Sequence, residues 1–596
     1  MDKDNPRVEI AIHFVDSAGK PFRIYLWNVM WKEWFLTHRR IDESILKEIS
    51  SPCSFTGIEI RGCSNEKEST IYLDSLYFYN EELKPISFEP RPKRNIEPRP
   101  GQNLGTNTGP GVLPFPTRKE TILPTNFETP FKTRAWKSGD NEFSFEYDGK
   151  DVNIRYVYSP KDGTFGDIKV CVNGREICSP MKEGGIIFEG KSEVEKMQLL
   201  SAELQDDILT VVFSSPYGDV QYRLWLWQKS LVIETTCLGG KATELNLGYA
   251  DELKVEPELI RVPYLDLARP SILLLKGETP VFISCWIDWY NSNASEYYWD
   301  SWTKRDSARF APGTRYIPKT DGKRNDLFER VFLTVSPLFE ETLPTIANPP
   351  SPVGKIAGEH LYLMGWLRDV STKEDFDKEH ELCKKELWSY GIRKLMKLSH
   401  ETTWRDAGES FTLRTKAGPR KGGDEALKEY TKKQQSLGWL YGYYSNYTDF
   451  APVNENWNED FVSRLPNNDW RPAWPRCYNL KPAKAVEFDA KLAKIVKEKF
   501  GIDCSYTDVH TCVAPWGYVD YDARVPGAGT FAATFYSYGE LLLNDQLTYG
   551  PTFSEGVWHY LYAGLTTGNY AQCPGYDFFN EPLLVSFDLL KIHPLQ

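Results

Sequence analysis

The segment GIDCSYTDVHTC, residues 501–512, places an acidic side chain at the end of a short apolar run. It follows a basic, helix-like segment, and its apolar and aromatic residues end at Asp508, with His510 two positions later. A short apolar run between turn residues predicts a buried strand. A carboxylate at the end of such a strand either anchors the following loop or faces a substrate.

The surrounding sequence, residues 350–596, alternates apolar runs with helical stretches rich in Lys and Glu. This alternation predicts βα units and a parallel sheet. No glycine-rich phosphate loop follows a predicted strand, so a (β/α)8 barrel of the TIM type is favoured over an open nucleotide-binding sheet. Seven strands precede the end of the chain, so we expect this barrel to lack its eighth strand here. The predicted strands span 361–367, 393–401, 438–447, 503–508, 548–555, 563–572 and 583–591, and the predicted helices lie near 373–390, 423–437, 483–500, 528–545 and 556–563.

The preceding sequence predicts a multidomain chain. A length of 596 residues exceeds one hydrophobic core and indicates about three or four domains. Residues 1–88 show short alternating strands typical of a jelly-roll-like β-sandwich of the carbohydrate-binding-module kind, which we expect to be incomplete because only four strands are clear. Residues 89–128 are rich in Pro, Gly and Asn and predict a linker. Residues 129–345 predict a large antiparallel β-sandwich.

Aromatic residues make up 14% of the chain and concentrate in two segments. Residues 285–302, CWIDWYNSNASEYYWDSW, hold more rings than one strand can bury on one face. They form either a loop directed at a sugar or a sandwich core with a domain interface. The second segment, residues 454–480, is named the aromatic loop. Because long barrel loops shape substrate entry, we predict that Trp457, Trp470 and Trp474 contact substrate.

The composition excludes several partners and cofactors. The net charge is −12 and no basic stripe is visible, which disfavours a nucleic-acid partner. No apolar run is long enough to predict a membrane span. The opening residues, MDKDNPRVEI, are not a signal peptide, so the compartment is undetermined, and export is expected only if a further segment precedes them. The eleven cysteines form no CxxC pair, and the sequence predicts no metal and no cofactor.

Four acids follow predicted barrel strands: Glu401, Asp449, Asp508 and Glu555. Active sites of barrels lie at the carboxyl ends of the strands. A ring of acids repels itself unless one is protonated or a cationic transition state lies between them. Glycoside hydrolysis supplies such a transition state. Asp508 and Glu555 are about one βα unit apart, so we predict that they lie on neighbouring strand ends as the catalytic pair.

The residues around this pair suit the two roles. Trp558 and apolar neighbours give Glu555 a surrounding that favours a proton donor. Tyr506 and His510 are predicted to donate hydrogen bonds that keep Asp508 ionised. Planar polar groups bind sugar hydroxyls and aromatic rings stack on sugar faces. The remaining predicted substrate-binding residues are His400, Glu401, Trp404, Asp406, Tyr447 and Asp449.

The segments YTDVHT, GPTFSEGVWHYLYAGLTTGNYAQ and FDLLKIHPL, within residues 503–596, resemble the barrel of α-N-acetylgalactosaminidases of the endo-acting family 101 and exo-acting family 129 type. Those enzymes belong to a wider group of retaining α-glycosidases that includes α-galactosidases, and they also place a large β-sandwich before the barrel. The resemblance implies that Asp508 is the nucleophile and Glu555 the general acid/base. It also implies retention of configuration and a substrate with α-linked galactose-type or N-acetylgalactosamine units. Upstream of residue 503 only the architecture is shared.

Two other function classes remain open from the sequence. The first is a metal-dependent barrel hydrolase that uses His400, Asp508 and His510. The chain has only eight histidines and no HxH at the first barrel strand, which disfavours this class. The second is a non-catalytic carbohydrate-binding protein on a degenerate glycosidase scaffold. The presence of both acids argues against it.

Overall fold

The structure is a computed structural model. The predicted linker, except residues 89 and 124, and part of FDLLKIHPL lie outside the residues that it describes. The described residues are 7–29, 34–62, 70–89, 124, 129–261, 271–277, 279–298, 300–311, 313–365, 372–556, 558–571, 583–586 and 591–594.

The N-terminal region contains one three-stranded antiparallel sheet, with the strand order β2-β1-β3. Alternate residues of the central strand are buried, as the sequence pattern predicts for a sheet with one covered face. A short helix lies between the second and third strands. These elements are β1 (Glu9–Val15), β2 (Pro21–Asn28), α1 (Glu43–Glu48) and β3 (Ser54–Arg61).

Residues 70–89 contain no strand, which corrects the part of the predicted fourth strand that lies at 70–82. A strand requires a hydrogen-bonded neighbour, and this segment uses backbone groups elsewhere. Arg524 donates to the Lys84 carbonyl at 2.7 Å. Lys484 donates to the Ser87 carbonyl at 2.6 Å. Side chains of the C-terminal half therefore hold this segment.

Residues 131–336 form large antiparallel sheets, as the alternating pattern predicts. One eight-stranded sheet has the order β10-β11-β12-β13-β23-β18-β17-β16, and another has the order β20-β21-β15-β8-β7-β6-β5-β4. A four-stranded sheet, β19-β22-β14-β9, lies with them. The strands are β4 (Phe131–Gly139), β5 (Glu142–Gly149), β6 (Asn153–Tyr158), β7 (Ile168–Val172), β8 (Arg175–Lys182), β9 (Gly185–Phe188), β10 (Gln198–Gln205), β11 (Ile208–Ser215), β12 (Gly218–Trp227), β13 (Ser230–Cys237), β14 (Ala242–Asn246), β15 (Tyr249–Asp251), β16 (Pro257–Arg261), β17 (Ser271–Lys276), β18 (Pro280–Ile287), β19 (Glu296–Tyr298), β20 (Trp302–Thr303), β21 (Ala308–Arg309), β22 (Gly313–Arg315) and β23 (Leu327–Ser336).

The aromatic cluster at 285–302 belongs to a core and an interface, which is the second of its two interpretations. The ring of Trp289 packs edge-on against Tyr560, and Tyr290 packs against Phe535 with centroids 5.2 Å apart. Both tryptophan and tyrosine are buried in a hydrophobic cluster that continues from the antiparallel sheets into the C-terminal half. Trp299 lies outside the described residues. The shared core fixes the antiparallel sheets against the region that carries the candidate site.

The C-terminal half contains a six-stranded parallel sheet with the sequential order β24-β25-β26-β29-β30-β31. The elements are α2 (Gly354–Gly358), β24 (Leu361–Gly365), α3 (Lys373–Glu386), β25 (Leu395–Ser399), α4 (Gly423–Gln435), β26 (Leu440–Ser445), β27 (Asp449–Phe450), β28 (Tyr478–Asn479), α5 (Pro482–Phe500), β29 (Cys504–Thr507), α6 (Phe531–Tyr549), β30 (Thr552–Gly556), β31 (Gly568–Ala571), β32 (Leu583–Ser586) and β33 (Lys591–Pro594). Short 3-10 helices span Phe339–Thr342, Trp388–Tyr390, Glu401–Thr403, Pro419–Lys421, Glu459–Phe461, Pro515–Gly517 and His559–Tyr562.

Two predicted elements of this half differ in the structure. Of the predicted seventh parallel strand, 583–591, the described residues 583–586 form β32, which pairs antiparallel with β33 instead of joining the parallel sheet. The predicted helix at 556–563 is reduced to the 3-10 helix at 559–562. In this second segment the apolar run was too short for periodicity to decide its structure.

The helices between the parallel strands show their end signals in the sequence. Helix α3 begins with a capping box in which Thr372 and Asp375 bond reciprocally. Helix α5 begins at Pro482 and ends at Gly501, which has a left-handed φ of 71°. Helix α6 is buried along most of its length because it packs against the parallel sheet and the shared core. No helix within the described ranges is long and apolar enough to cross a membrane.

Candidate active site

The register of the parallel strands brings alternate residues of four strands to one face. Tyr444 of β26 lies opposite Tyr506 of β29, and Tyr506 lies opposite Phe553 of β30. Because side chains alternate between faces, Asp508 and Glu555, each two residues further on, share this face. Thr507 and Ser554 are the last paired residues before them. The two predicted catalytic acids therefore follow neighbouring strands in register.

Aromatic rings form the floor beneath these acids. His400 packs against Tyr444 with ring centroids 4.8 Å apart, and Tyr444 lies 6.2 Å from Tyr506. Tyr362 stacks on Phe553 at 4.1 Å. This layer excludes water from below, so the acids lie in a poorly solvated environment.

A glycine allows the strands to approach closely below this layer. A Cβ atom on Gly442 would lie 1.9 Å from the Cys504 carbonyl oxygen, which is far inside van der Waals contact. A larger residue would push β26 away from β29 and widen the sheet below the acids.

Asp508 is held by its backbone and by Tyr506. Its N–H donates to the Ser445 carbonyl at 2.9 Å, and Tyr506 donates its hydroxyl to Asp508 Oδ1 at 2.7 Å. The Tyr444 hydroxyl accepts a hydrogen bond from Asn446 at 2.8 Å. Burial and the adjacent charge of Glu555 raise the pKa of Asp508 well above its ordinary value, whereas the tyrosines oppose that rise.

Glu555 is only partly buried, and the neighbouring loop holds its backbone. The Thr511 hydroxyl donates to the Glu555 carbonyl, and the charge of Glu555 adds to the burial that raises the pKa of the Cys512 thiol. The Trp558 N–H donates to the Thr511 carbonyl at 2.7 Å. The loop after β29 therefore positions the acid on β30.

Two further carboxyl groups converge on this pair. Asp449 is buried, and burial raises its pKa to about 6, with Glu401 and Glu555 adding repulsion. Asn446 donates to Asp449 Oδ2 at 2.7 Å and the Trp474 N–H donates to Oδ1 at 3.3 Å. The charges of these acids act on one another, and the four are hereafter named the carboxylate cluster: Glu401, Asp449, Asp508 and Glu555.

Glu401 lies at the positively charged side of the carboxylate cluster. Burial raises its pKa, and the guanidinium groups of Arg405, Arg414 and Arg476 oppose the rise. Arg405 donates to Glu401 Oε1 at 3.2 Å. Burial, together with the charge of Arg405, lowers the pKa of His400 to about 4, so this imidazole is neutral at pH 7.

Five predicted substrate-binding residues lie beside or behind the carboxylate cluster. Trp404 packs on Tyr443, which points away from the acids. Asp406 accepts a hydrogen bond from the Arg420 N–H and anchors that loop. These two residues and Tyr447, His510 and Trp558 are buried.

Three of these residues support the loops of the site from behind. His510 donates through Nδ1 to the Asp508 carbonyl at 2.6 Å, and its ring packs on Tyr538. Burial, and then the charge of Asp489, raises the pKa of Tyr447 well above its ordinary value. Trp558 packs on Trp516 with ring centroids 4.9 Å apart. The described residues contain no group of three or more His, Cys, Asp or Glu side chains suited to a metal ion.

The three tryptophans of the aromatic loop differ in exposure. Trp470 is buried, and Trp457 is partly buried in the same cluster. Trp474 is 63% exposed, and its backbone contacts Asp449. Only Trp474 therefore presents a free indole face next to the carboxylate cluster.

Tyr444, Asn446 and Cys512 are not among the site residues predicted from the sequence. Tyr444 and Asn446 lie two residues apart on the strand predicted at 438–447, and the period of two places both on the face of the acids. Cys512 follows Asp508 by four residues in a loop, where no periodicity predicts that it lies near the charge of Glu555.

No protein-family profile matches the chain, and no curated protein sequence matches it. Among solved structures it is similar to a quadruple mutant of the α-N-acetylgalactosaminidase NagBb from Bifidobacterium bifidum. The two share 12% sequence identity over 70% of this chain and 78% of that chain, with a TM-score of 0.52. It is also similar to an α-galactosidase from Lactobacillus brevis, at 9% identity over 73% and 69% of the two chains and a TM-score of 0.41. The first similarity shows that the chain shares the fold of an α-N-acetylgalactosaminidase.

Proposed function

We propose that the protein is a glycoside hydrolase that cleaves α-linked galactose-type or N-acetylgalactosamine glycosides by a retaining two-carboxylate mechanism. The observation that carries this proposal is the pair formed by Asp508 and Glu555. The two acids follow neighbouring parallel strands in register, and each lies within the electrostatic field of the other. The fold shared with an α-N-acetylgalactosaminidase supports the sugar class.

The hydrogen bonds support different roles for the two acids. The Tyr506 hydroxyl donates to Asp508 Oδ1 at 2.7 Å, which stabilises a negative charge on that residue. Glu555 lies on the neighbouring strand and is the second acid that the two-carboxylate mechanism requires. Asp508 is accordingly the proposed nucleophile and Glu555 the proposed general acid/base.

The reaction follows from these charges. An Asp508 oxygen attacks the anomeric carbon while Glu555 transfers its proton to the glycosidic oxygen, and the carbon–oxygen bond to the leaving group breaks. This step leaves a glycosyl ester on Asp508. Glu555, now ionised, takes a proton from water as that water attacks the anomeric carbon. The sugar is released with its original configuration, Asp508 regains its charge and Glu555 its proton.

The other acids supply an environment for the positive charge that develops on the sugar. Asp449 and Glu401 raise the energy of the empty site through repulsion, and an oxocarbenium-like transition state relieves it. Both side chains also offer oxygens to sugar hydroxyls, together with His400 and Tyr506 from the floor. The exposed indole of Trp474 provides an apolar surface for a sugar face.

We also propose that the parallel sheet belongs to a (β/α)8-type barrel. The sequential strand order supports this, because open doubly wound sheets reverse their order at a switch point. The proposed domain division remains that of the sequence: 1–88, a linker at 89–128, a β-sandwich at 129–345 and the catalytic domain at 350–596. The shared core at 285–302 implies that the last two unfold together.

The test is hydrolysis of α- and β-nitrophenyl glycosides of galactose, N-acetylgalactosamine, glucose and N-acetylglucosamine, with NMR of the first product anomer. We expect turnover of an α-galacto-configured substrate and an initial α-anomer. Azide should restore turnover to Asp508→Gly and yield a β-glycosyl azide, because it enters from the face that the carboxylate vacated. An initial β-anomer from the wild type would contradict retention, and absence of turnover on all eight substrates would contradict the sugar class.

A further inference from the structure

The aromatic loop contacts the N-terminal region on one side. The ring of His38 stacks on Trp470 with centroids 4.0 Å apart and an angle of 9° between the planes. The His38 N–H donates to the Tyr478 hydroxyl at 3.0 Å, and that hydroxyl donates to the Leu36 carbonyl at 3.1 Å. These contacts join residues more than 430 positions apart in the chain. Residues 34–42 are hereafter the strap.

Charged and apolar groups extend this contact. Arg39 pairs with Asp469 at 3.3 Å, and the Asp469 side chain is almost fully buried. Phe35 stacks against Tyr478 at 5.4 Å, and Trp27 packs on the same ring. A buried ion pair contributes to stability only when its partners are well placed. The Arg39–Asp469 pair therefore stabilises the protein only while the strap keeps its position.

The opposite side of the aromatic loop reaches the carboxylate cluster. The turn at Trp474 closes with a hydrogen bond from the Cys477 N–H to the Trp474 carbonyl at 2.8 Å. Arg476 adopts a left-handed φ of 71°, its guanidinium lies 5.3 Å from the centre of the Phe411 ring, and its charge acts on Glu401. Cys477 is 1% exposed, and its thiol lies within the field of Asp449. The loop thus connects the strap to the site.

We propose that His38 and Arg39 are positioning residues, and that the strap holds the aromatic loop over the carboxylate cluster. The N-terminal region is then a structural part of the active site rather than a separate binding module. The effect of the strap on catalysis rests on the proposed glycosidase function, whereas the contacts between the strap and the aromatic loop do not depend on it.

The test compares full-length His38→Ala/Arg39→Ala with the wild type. Release of the loop exposes Cys477, so alkylation of this thiol by iodoacetamide, followed by peptide mass spectrometry, should accelerate at least about tenfold. Hydrogen exchange of amides in residues 463–480 should accelerate similarly, while exchange in residues 208–237 of the sandwich stays unchanged. The kcat/KM for the nitrophenyl substrate should fall about 10- to 100-fold, since small displacements of positioning groups carry losses of that size.

The matched control is Lys20→Ala, which removes an exposed charge of the same N-terminal region that pairs with Glu48. It should behave as the wild type in all three measurements. Unchanged rates of alkylation and exchange in the double variant would overturn the proposal that the strap holds the aromatic loop. Faster alkylation with an unchanged kcat/KM would overturn the proposal that His38 and Arg39 position the site. If the wild-type chain cleaves no glycoside, the proposed function fails, and Cys477 alkylation still decides whether the strap holds the loop.

Discussion

Glu329 in the antiparallel sheets and Asp508 at the end of a parallel strand both have a raised pKa, yet their neighbours differ. Glu329 is fully buried and accepts hydrogen bonds from Tyr316 at 2.6 Å and Ser292 at 2.9 Å. Burial raises its pKa to about 8. Asp508 lies at a strand end, and its pKa is raised by burial and then by Glu555.

This difference separates a structural acid from a candidate catalytic acid. Two hydroxyl groups from outside its strand donate to one carboxyl oxygen of Glu329, and burial favours the neutral form of this acid. Asp508 has other acids beside it, and these are stabilised together only when protons or positive charge lie between them. A raised pKa alone therefore does not mark a functional site, whereas convergence of several acids at strand ends does.

The largest effect is expected from amide substitutions in the carboxylate cluster. Asp508→Asn and Glu555→Gln should each lower kcat/KM by about 10³-fold or more, because one loses the nucleophile and the other the proton donor. Steady-state kinetics on the nitrophenyl substrate measures this, and thermal unfolding should show a folded protein.

Two amide variants serve as controls for that comparison. Glu329→Gln changes the structural acid, and Asp377→Asn changes an exposed acid of α3 that pairs with Lys433. Both should retain the wild-type kcat/KM at pH 6. A comparable loss in Glu329→Gln would remove the distinction between the two regions.

The second effect concerns stability and pH. Because the folded pKa of Glu329, about 8, exceeds its ordinary value of 4.5, the folded state binds a proton that the unfolded state releases. The titration of Glu329 therefore lowers the free energy of unfolding progressively as the pH rises from about 4.5 to about 8. Glu329→Gln does not titrate, so its stability relative to the wild type should increase by roughly 2–4 kcal/mol across that window.

Urea unfolding at several pH values measures this difference, with the exposed β10 variant Glu203→Gln as the matched control. The control should show a constant difference from the wild type. A constant difference for Glu329→Gln as well would mean that Glu329 is ionised in the folded protein.

The smallest effect is expected at the rim of the site. Trp474→Ala should raise KM about tenfold with little change in Tm, because an exposed indole that stacks on a sugar contributes on the order of 1–2 kcal/mol. Trp388→Ala, which removes a partly exposed tryptophan after α3, should leave KM unchanged. A KM for Trp474→Ala equal to that of the wild type would exclude the indole from the substrate surface.

Periodicity predicted the elements that carry the site but failed for elements that depend on distant partners. The strands at 393–401, 438–447 and 503–508 are present as β25, β26 and β29, with ends shifted by one or two residues. Residues 70–82, which alternate in the sequence, form no strand, and side chains far along the chain bind the residues that follow them. The roles of the individual site residues remain predictions.

The sequence by itself determined the alternation of strands and helices and the acids at the strand ends, because both follow from local periodicity and from the handedness of βα units. Only the tertiary structure decided which aromatic residues are exposed. Trp470 and Trp474 have similar sequence surroundings, but His38 covers the first and leaves the second open. Long-range packing decides such differences, since burial depends on what the rest of the chain places against a side chain.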